Sequence, residues 1–178
     1  MKKNFFYFDR KMIGVSTLAA FTIFIVIAVY FKYTQEKSSS FATSIKGYAT
    51  IIDGDSIVIS STKIRLIGID APELQQFCGK KKTRYPCGLE AKKYLEQLVD
   101  NQLVTCHWNK KDKYHRILAT CKTQKISNIN ATLVRDGWAV SYYSYPKEEE
   151  EARKKKKGIW QSNFQKPRKW RKAHPRTE

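Results

Sequence analysis

The spacing of apolar positions changes several times along this 178-residue chain. Met12–Phe31 is 20 residues without a charge, long enough to cross a bilayer as a helix. Beyond a polar stretch, short runs rich in β-branched residues alternate with polar positions, the pattern of half-buried strands. They predict strands over 46–52, 55–60, 63–69, 103–108 and 114–121. Between the third and fourth, Ala91, Tyr94, Leu95, Leu98 and Val99 recur at helical spacing, which predicts a helix over Gly88–Asp100 with one buried face. A short second helix is expected over Ser127–Asp136, capped by Ser127 or Asn128 and ended at Gly137. Pro146–Gly158 completes the set, with Glu148–Glu151 in its first turns and Arg153–Lys157 in its last. That order complements the helix dipole and sets Glu149–Arg153, Glu150–Lys154 and Glu151–Lys155 at i, i+4.

The expected fold class is α+β: a five-stranded OB-fold barrel with about three helices, preceded by an N-terminal transmembrane helix. The chain divides into a basic cytoplasmic segment (1–11), the membrane anchor (12–31), a polar linker (32–45), the barrel domain (46–160) and a basic C-terminal tail (161–178). Lys2, Lys3, Arg10 and Lys11 flank the apolar run, placing the N-terminus in the cytoplasm and the domain outside it. A cleaved signal peptide, and so a secreted domain, is the competing reading. A small-residue site stands at Ser40-Phe41-Ala42, though far from the apolar run.

Charge narrows the partners. The formal net charge is +18, of which residues 44–178 carry +14, from 28 Lys/Arg and 14 Asp/Glu. A domain this basic attracts polyanions by long-range field and counterion release. In the tail, Lys166, Arg168, Lys169, Arg171, Lys172 and Arg176 surround Trp170, a mixture suited to nucleic acid or to a solvated extension. The cysteines stand at 78, 87, 106 and 121, without the Cys-x-x-Cys spacing of a zinc site. An even number outside the cytosol reads as two disulfides. Cys78–Cys87 would close a short loop, and Cys106–Cys121 would cross the hairpin between the last two strands.

The candidate chemistry lies in Ile52–Glu73, IDGDSIVISSTKIRLIGIDAPE. Asp53-Gly54-Asp55 is a tight turn between apolar runs, and Asp70 ends the following strand pair. Pro72 keeps Ala71 extended, so the chain leaves the sheet directly toward Glu73. Strand pairing would bring Asp55 and Asp70 together as a hard oxygen site suited to Ca²⁺. Arg65 would reach an anion there, with Glu73 beside it as candidate base.

Ile52-Asp53-Gly54-Asp55-Ser56 and Arg65-Leu66-Ile67-Gly68-Ile69-Asp70-Ala71-Pro72-Glu73 resemble the signature of the staphylococcal-nuclease-like (thermonuclease) family, and the likeness covers residues 46–160. The resemblance implies a Ca²⁺-dependent hydrolase, an endonuclease cleaving phosphodiester bonds of DNA and RNA with little sequence preference and leaving 3′-phosphates. It implies Ca²⁺ on Asp55, Asp70 and the Ala71 carbonyl, with Arg65, Glu73 and Arg116 catalytic. Tyr114, Tyr143 and Tyr145 would border the nucleotide. His115 departs from the family's usual glycine, which bears on the aim of Arg116. The alternative is a non-catalytic OB-fold nucleic-acid-binding module tethered to the membrane.

Overall fold

The computed structural model describes residues 22–30 and 43–175 and separates into two units, Met1–Phe41 and Ala42–Glu178. In the first, residues 22–30 form helix α1 with exposed apolar side chains. Most of the expected anchor, 12–31, lies outside the described residues, as do the segment 1–11 and nearly all of the linker. Among the described residues no helix is long and apolar enough to cross a membrane.

The second unit runs β1 (Thr43–Gly47), β2 (Thr50–Asp53), β3 (Ser56–Ile59), β4 (Thr62–Leu66), β5 (Ile69–Asp70), α2 (Cys87–Val99), β6 (Val104–Lys111), β7 (Ile117–Lys122), α3 (Ile129–Arg135), β8 (Val140–Ser141), α4 (Pro146–Lys154), a 3-10 turn (Gly158–Gln161) and α5 (Pro167–Ala173). Six strands form one sheet in the order β1-β6-β7-β4-β3-β2. Its two edge strands, β1 and β2, are joined by only Tyr48 and Ala49, so the sheet must curl until its edges nearly meet. The expected first strand, 46–52, is thus one bent segment whose halves serve opposite edges. The β4–β7 pair is parallel and the other pairs are antiparallel. This curled α+β architecture is consistent with an OB-like fold.

Alternation decides which face of each strand is buried. Ile57, Ile59, Ile64, Leu66, Ile117, Ala119 and Cys121 point into the core, where Leu95 and Val99 of α2 and Leu133 of α3 cover them. The helix stripe read from the sequence is the buried one: Ala91, Leu95 and Val99 are all enclosed. Asn128 caps α3 by accepting from the Ala131 amide at 3.0 Å. The three expected i, i+4 pairs of α4 are formed, at 3.1, 2.7 and 2.8 Å.

Asn130 is fully buried and takes no water-facing role. Its side-chain oxygen accepts from the Cys121 amide (3.1 Å), while its nitrogen donates to the carbonyls of Ile67 (2.9 Å) and Ala119 (3.0 Å). One side chain therefore ties α3 to β7 and to the turn between β4 and β5. Gly68 makes that turn, at φ +81°, and splits the strand expected over 63–69.

Both disulfides are present. Cys106 and Cys121 face each other in the β6–β7 register, and Cys78–Cys87 joins the loop after β5 to the start of α2. The second bridge sits in a small separate cluster with Val140, Ile159, Trp160 and Phe164. That cluster fixes the chain leaving the 3-10 turn. Further ties follow, from the Gly79 amide to the Asn163 carbonyl (2.7 Å) and from the Gln76 side chain to the Gln165 carbonyl (2.6 Å). The C-terminal segment consequently adds an element that its charge pattern does not announce, the helix α5.

Candidate active site

The Asp53-Gly54-Asp55 turn is built from the inside. Asp53 accepts a hydrogen bond from the Asp55 amide at 3.0 Å, closing a local side-chain turn. Gly54 lies where a Cβ would stand 2.7 Å from the Ala71 methyl and 2.9 Å from that of Ala91, so the turn packs flush against α2. Asp55 is thereby aimed inward and is only 3% exposed. Its Oδ2 accepts from the Ala71 amide at 2.9 Å, and its Oδ1 accepts from Ser56 Oγ at 3.1 Å.

Asp70 ends β5 and is 2% exposed. Ser56 of β3 stands opposite Arg65 of β4, which aims the Arg65 guanidinium at both carboxylates. Nη1 of Arg65 donates to Asp55 Oδ1 and Nη2 donates to Asp70 Oδ1 (3.1 Å). Asp70 belongs to a separate two-stranded sheet, β5 with β8, so it is not strand pairing but the Arg65 guanidinium and the Ala71 amide that join Asp55, Arg65, Asp70 and Ala71.

Burial pushes the Asp55 carboxyl up to about 7; Arg65 pulls it down, while Asp53 and Asp70 add to the rise. For Arg65, burial acts to weaken the charge, and Asp55 and Asp70 more than restore it, so its pKa is raised. Asp55 and Asp70 are paired, buried carboxylates, hard oxygen donors of the kind that suits Ca²⁺.

Glu73 is held through its backbone. Its amide donates to Gln76 Oε1 (3.3 Å) and its carbonyl accepts from the Gln76 amide (2.7 Å). Gln76 itself is fully buried. A second arginine then enters from an unexpected place. Nη1 of Arg171, on α5, donates to Asp70 Oδ1 (2.9 Å) and to Glu73 Oε1 (2.8 Å), and Nη2 donates to Asp70 Oδ2 (3.2 Å). Burial opposes its charge, but the hydrogen bonds to Asp70 and Glu73 outweigh that and raise its pKa.

Arg116 lies at the β6–β7 turn, where Asp112 Oδ2 accepts from its Nε at 2.8 Å. His115 adopts φ +62°, the left-handed conformation that a glycine would take, so the turn keeps the shape the substitution called into question. Arg116 is accordingly presented beside Tyr114, whose ring lies 5.7 Å from the guanidinium carbon. Tyr143 is 86% exposed and lines an open cleft of about 240 Å³ with Asp70, Tyr142, Lys166 and Arg168. Tyr145 packs against the core instead, its hydroxyl 3.5 Å from the Asn128 side-chain nitrogen. Both tyrosines sit at positive φ, a strained backbone of the kind that clusters at binding sites.

Sequence reasoning missed Gln76 and Arg171. Gln76 carries no motif, and only its burial in a loop reveals it. Arg171 was visible as one of six basic tail residues, with nothing to separate it from its neighbours.

The site therefore holds two buried carboxylates with an arginine between them, and a third carboxylate on the exit loop. The staphylococcal nuclease homologue family matches residues 63–162 of this chain, more than half its length, and the chain belongs to that family. It is 34% identical to the micrococcal nuclease of Shigella flexneri over 145 residues, 69% of this chain and 78% of that protein. An uncharacterized endonuclease of Haemophilus influenzae is 33% identical over 175 residues, covering 92% and 86% of the two. Endonuclease YhcR of Bacillus subtilis is 32% identical over 136 residues, and there the match spans only 11% of the larger protein. The chain is a hydrolase of the nuclease class.

Proposed function

We propose that this chain is a Ca²⁺-dependent endonuclease that hydrolyses phosphodiester bonds of DNA and RNA without regard to sequence, outside the cytoplasm. The observation that carries this reading is the joining of buried Asp55 and Asp70 through Arg65, with Glu73 linked to Asp70 through Arg171. Asp55, Asp70 and the carbonyl of Ala71 would hold the cation, which when bound supplies positive charge to the phosphate being attacked. Glu73 takes a proton from the water that adds to phosphorus. Arg65, in the metal-loaded form, and Arg116 bind the phosphate and the charge growing on its equatorial oxygens, a task suited to a planar, permanently charged fork. The P–O5′ bond breaks, the departing 5′ oxygen takes up a proton, and the other fragment keeps a 3′-phosphate.

Tyr114, Tyr143 and Tyr145 are the proposed nucleotide contacts. The exposed ring of Tyr143 shares a cleft with Asp70, and there it would stack on a base without reading its identity. Two disulfides suit an oxidising compartment, and the uncharged run 12–31 is the proposed anchor that leaves the domain outside. Digestion of DNA and RNA with Ca²⁺ and with a chelator tests the chemistry, and analysis of the product ends tests the bond broken. Metal-independent cleavage, or 5′-phosphate products, would overturn the mechanism.

A further inference from the structure

The tail helix contributes a residue to which no role has yet been given. Arg171 makes three hydrogen bonds, all to carboxylate oxygens of the site: two to Asp70, the proposed metal ligand, and one to Glu73, the proposed base. It thereby covers both oxygens of Asp70 and adds a permanent positive charge where a divalent cation would sit.

The segment before α5 is pinned by the Gly79–Asn163 and Gln76–Gln165 hydrogen bonds. The helix itself is seven residues, and Pro167 is its one buried side chain. A helix this short has little stability of its own. The hydrogen bonds of Arg171 tie its C-terminal half to the site, while the Arg171 side chain remains 37% exposed.

We infer that Arg171 competes with the metal for Asp70 and Glu73, so that α5 docking and metal binding are mutually opposed, and the C-terminal helix acts as a built-in stand-in for the cation. This rests on the calcium reading of Asp55 and Asp70. The stand-in keeps buried carboxylates charge-balanced before the metal arrives, and it raises the metal concentration at which the site fills. Linkage requires the reverse effect as well: metal that displaces Arg171 loosens α5 by the same factor.

The test is Ca²⁺ binding by titration calorimetry on the full, oxidised chain, without substrate. Arg171→Gln is expected to tighten the Kd about tenfold or more, within the usual range of coupling between linked sites. Lys169→Gln, which removes the same charge from the same helix without touching the carboxylates, should leave it within about twofold, as for a solvent-screened charge. Thermal melting confirms that both variants are folded. Hydrogen exchange gives a second readout: Ca²⁺ should speed exchange across 166–173 in the wild type and leave α3 unchanged. Unchanged or weaker Ca²⁺ binding in Arg171→Gln, with the wild type binding normally, overturns the competition and leaves the calcium reading intact. Equal tightening in Lys169→Gln reduces the effect to net charge and also overturns it. If neither the wild type nor Arg171→Gln binds Ca²⁺, the calcium reading fails and the inference falls with it.

Discussion

Replacing Gly88 by alanine should cripple the site without touching any of its side chains. Gly88 is the second residue of α2, and its φ lies outside the left-handed region, so alanine is comfortable there as backbone and gains about 1 kcal/mol of helix propensity. The obstacle is contact: an added Cβ would stand 1.8 Å from the Glu73 carbonyl oxygen and 2.5 Å from its carbon, whereas real Cβ contacts under 3.0 Å essentially do not occur. The two must separate by about 1.2 Å, the difference between those distances. The helix cannot easily retreat, because Cys87 is bridged to Cys78 and the Gly88 amide is bonded to the Gln76 carbonyl. The Glu73 backbone must yield instead, together with its turn onto Gln76. A displacement near 1 Å at a catalytic group costs on the order of 10²-fold in rate. The net stability cost should stay within about 1–2 kcal/mol, since overpacking of 1–3 kcal/mol is partly offset by propensity. Single-turnover cleavage and thermal melting measure the two effects separately. Wild-type turnover in a folded Gly88→Ala protein would refute the claim that backbone placement of Glu73 limits the chemistry.

Asn130→Ala should destabilise the domain by about 3–5 kcal/mol, because it strands buried backbone groups on β7 and in the β4–β5 turn; denaturant unfolding measures it, and a loss under 1 kcal/mol would show the network is dispensable. His115→Gly should stabilise by roughly 0.5–1 kcal/mol, since glycine relieves the left-handed strain at φ +62°; a loss of stability would mean the imidazole makes a compensating contact. Asp136 accepts from Tyr94 at 2.6 Å and from Lys157 at 2.8 Å, and although burial opposes it, these partners hold its pKa below the usual carboxylate value. Its contribution is therefore present above the unfolded value near 3.8 and fades as pH falls through the lower folded value. The stability gap between wild type and Asp136→Asn should be about 1 kcal/mol at pH 7 and close at strongly acid pH; a gap independent of pH would contradict it.

The order of strands and helices was legible because each element carries its own period. The alternation through Ile117, Ala119 and Cys121 and the stripe through Ala91, Leu95 and Val99 report burial directly. Less legible were the breaks, where a strand stays continuous in pattern but bends: at Tyr48-Ala49, which sends β1 and β2 to opposite edges, and at Gly68. The carboxylates and Arg65 were readable because they fall within one short stretch, Ile52–Glu73, that resembles a family signature. Gln76 and Arg171 were not, since each acts through a partner roughly a hundred residues away, Gln165 at a separation of 89 and Asp70 at 101. The Trp160–Phe164 cluster, the Cys78–Cys87 loop and the Gly79–Asn163 hydrogen bond bring those segments together, and none of them leaves a periodic mark. The α4 charge run was explained correctly as a solvated helix, whereas the similar run in α5 conceals one residue that faces inward.

The central claim is that Glu73, linked to Asp70 through Arg171, drives phosphodiester hydrolysis. Its most direct test is single-turnover cleavage of a labelled DNA strand by the oxidised domain in Ca²⁺, comparing the wild type with Glu73→Gln, with binding measured in parallel. The account predicts cleavage by the wild type, and in Glu73→Gln a rate lower by about 10²-fold or more with DNA affinity nearly kept, the usual scale for a positioned acid–base group. A wild-type domain that binds the strand in Ca²⁺ without cutting it, or a Glu73→Gln variant that cuts as fast as the wild type, would contradict it.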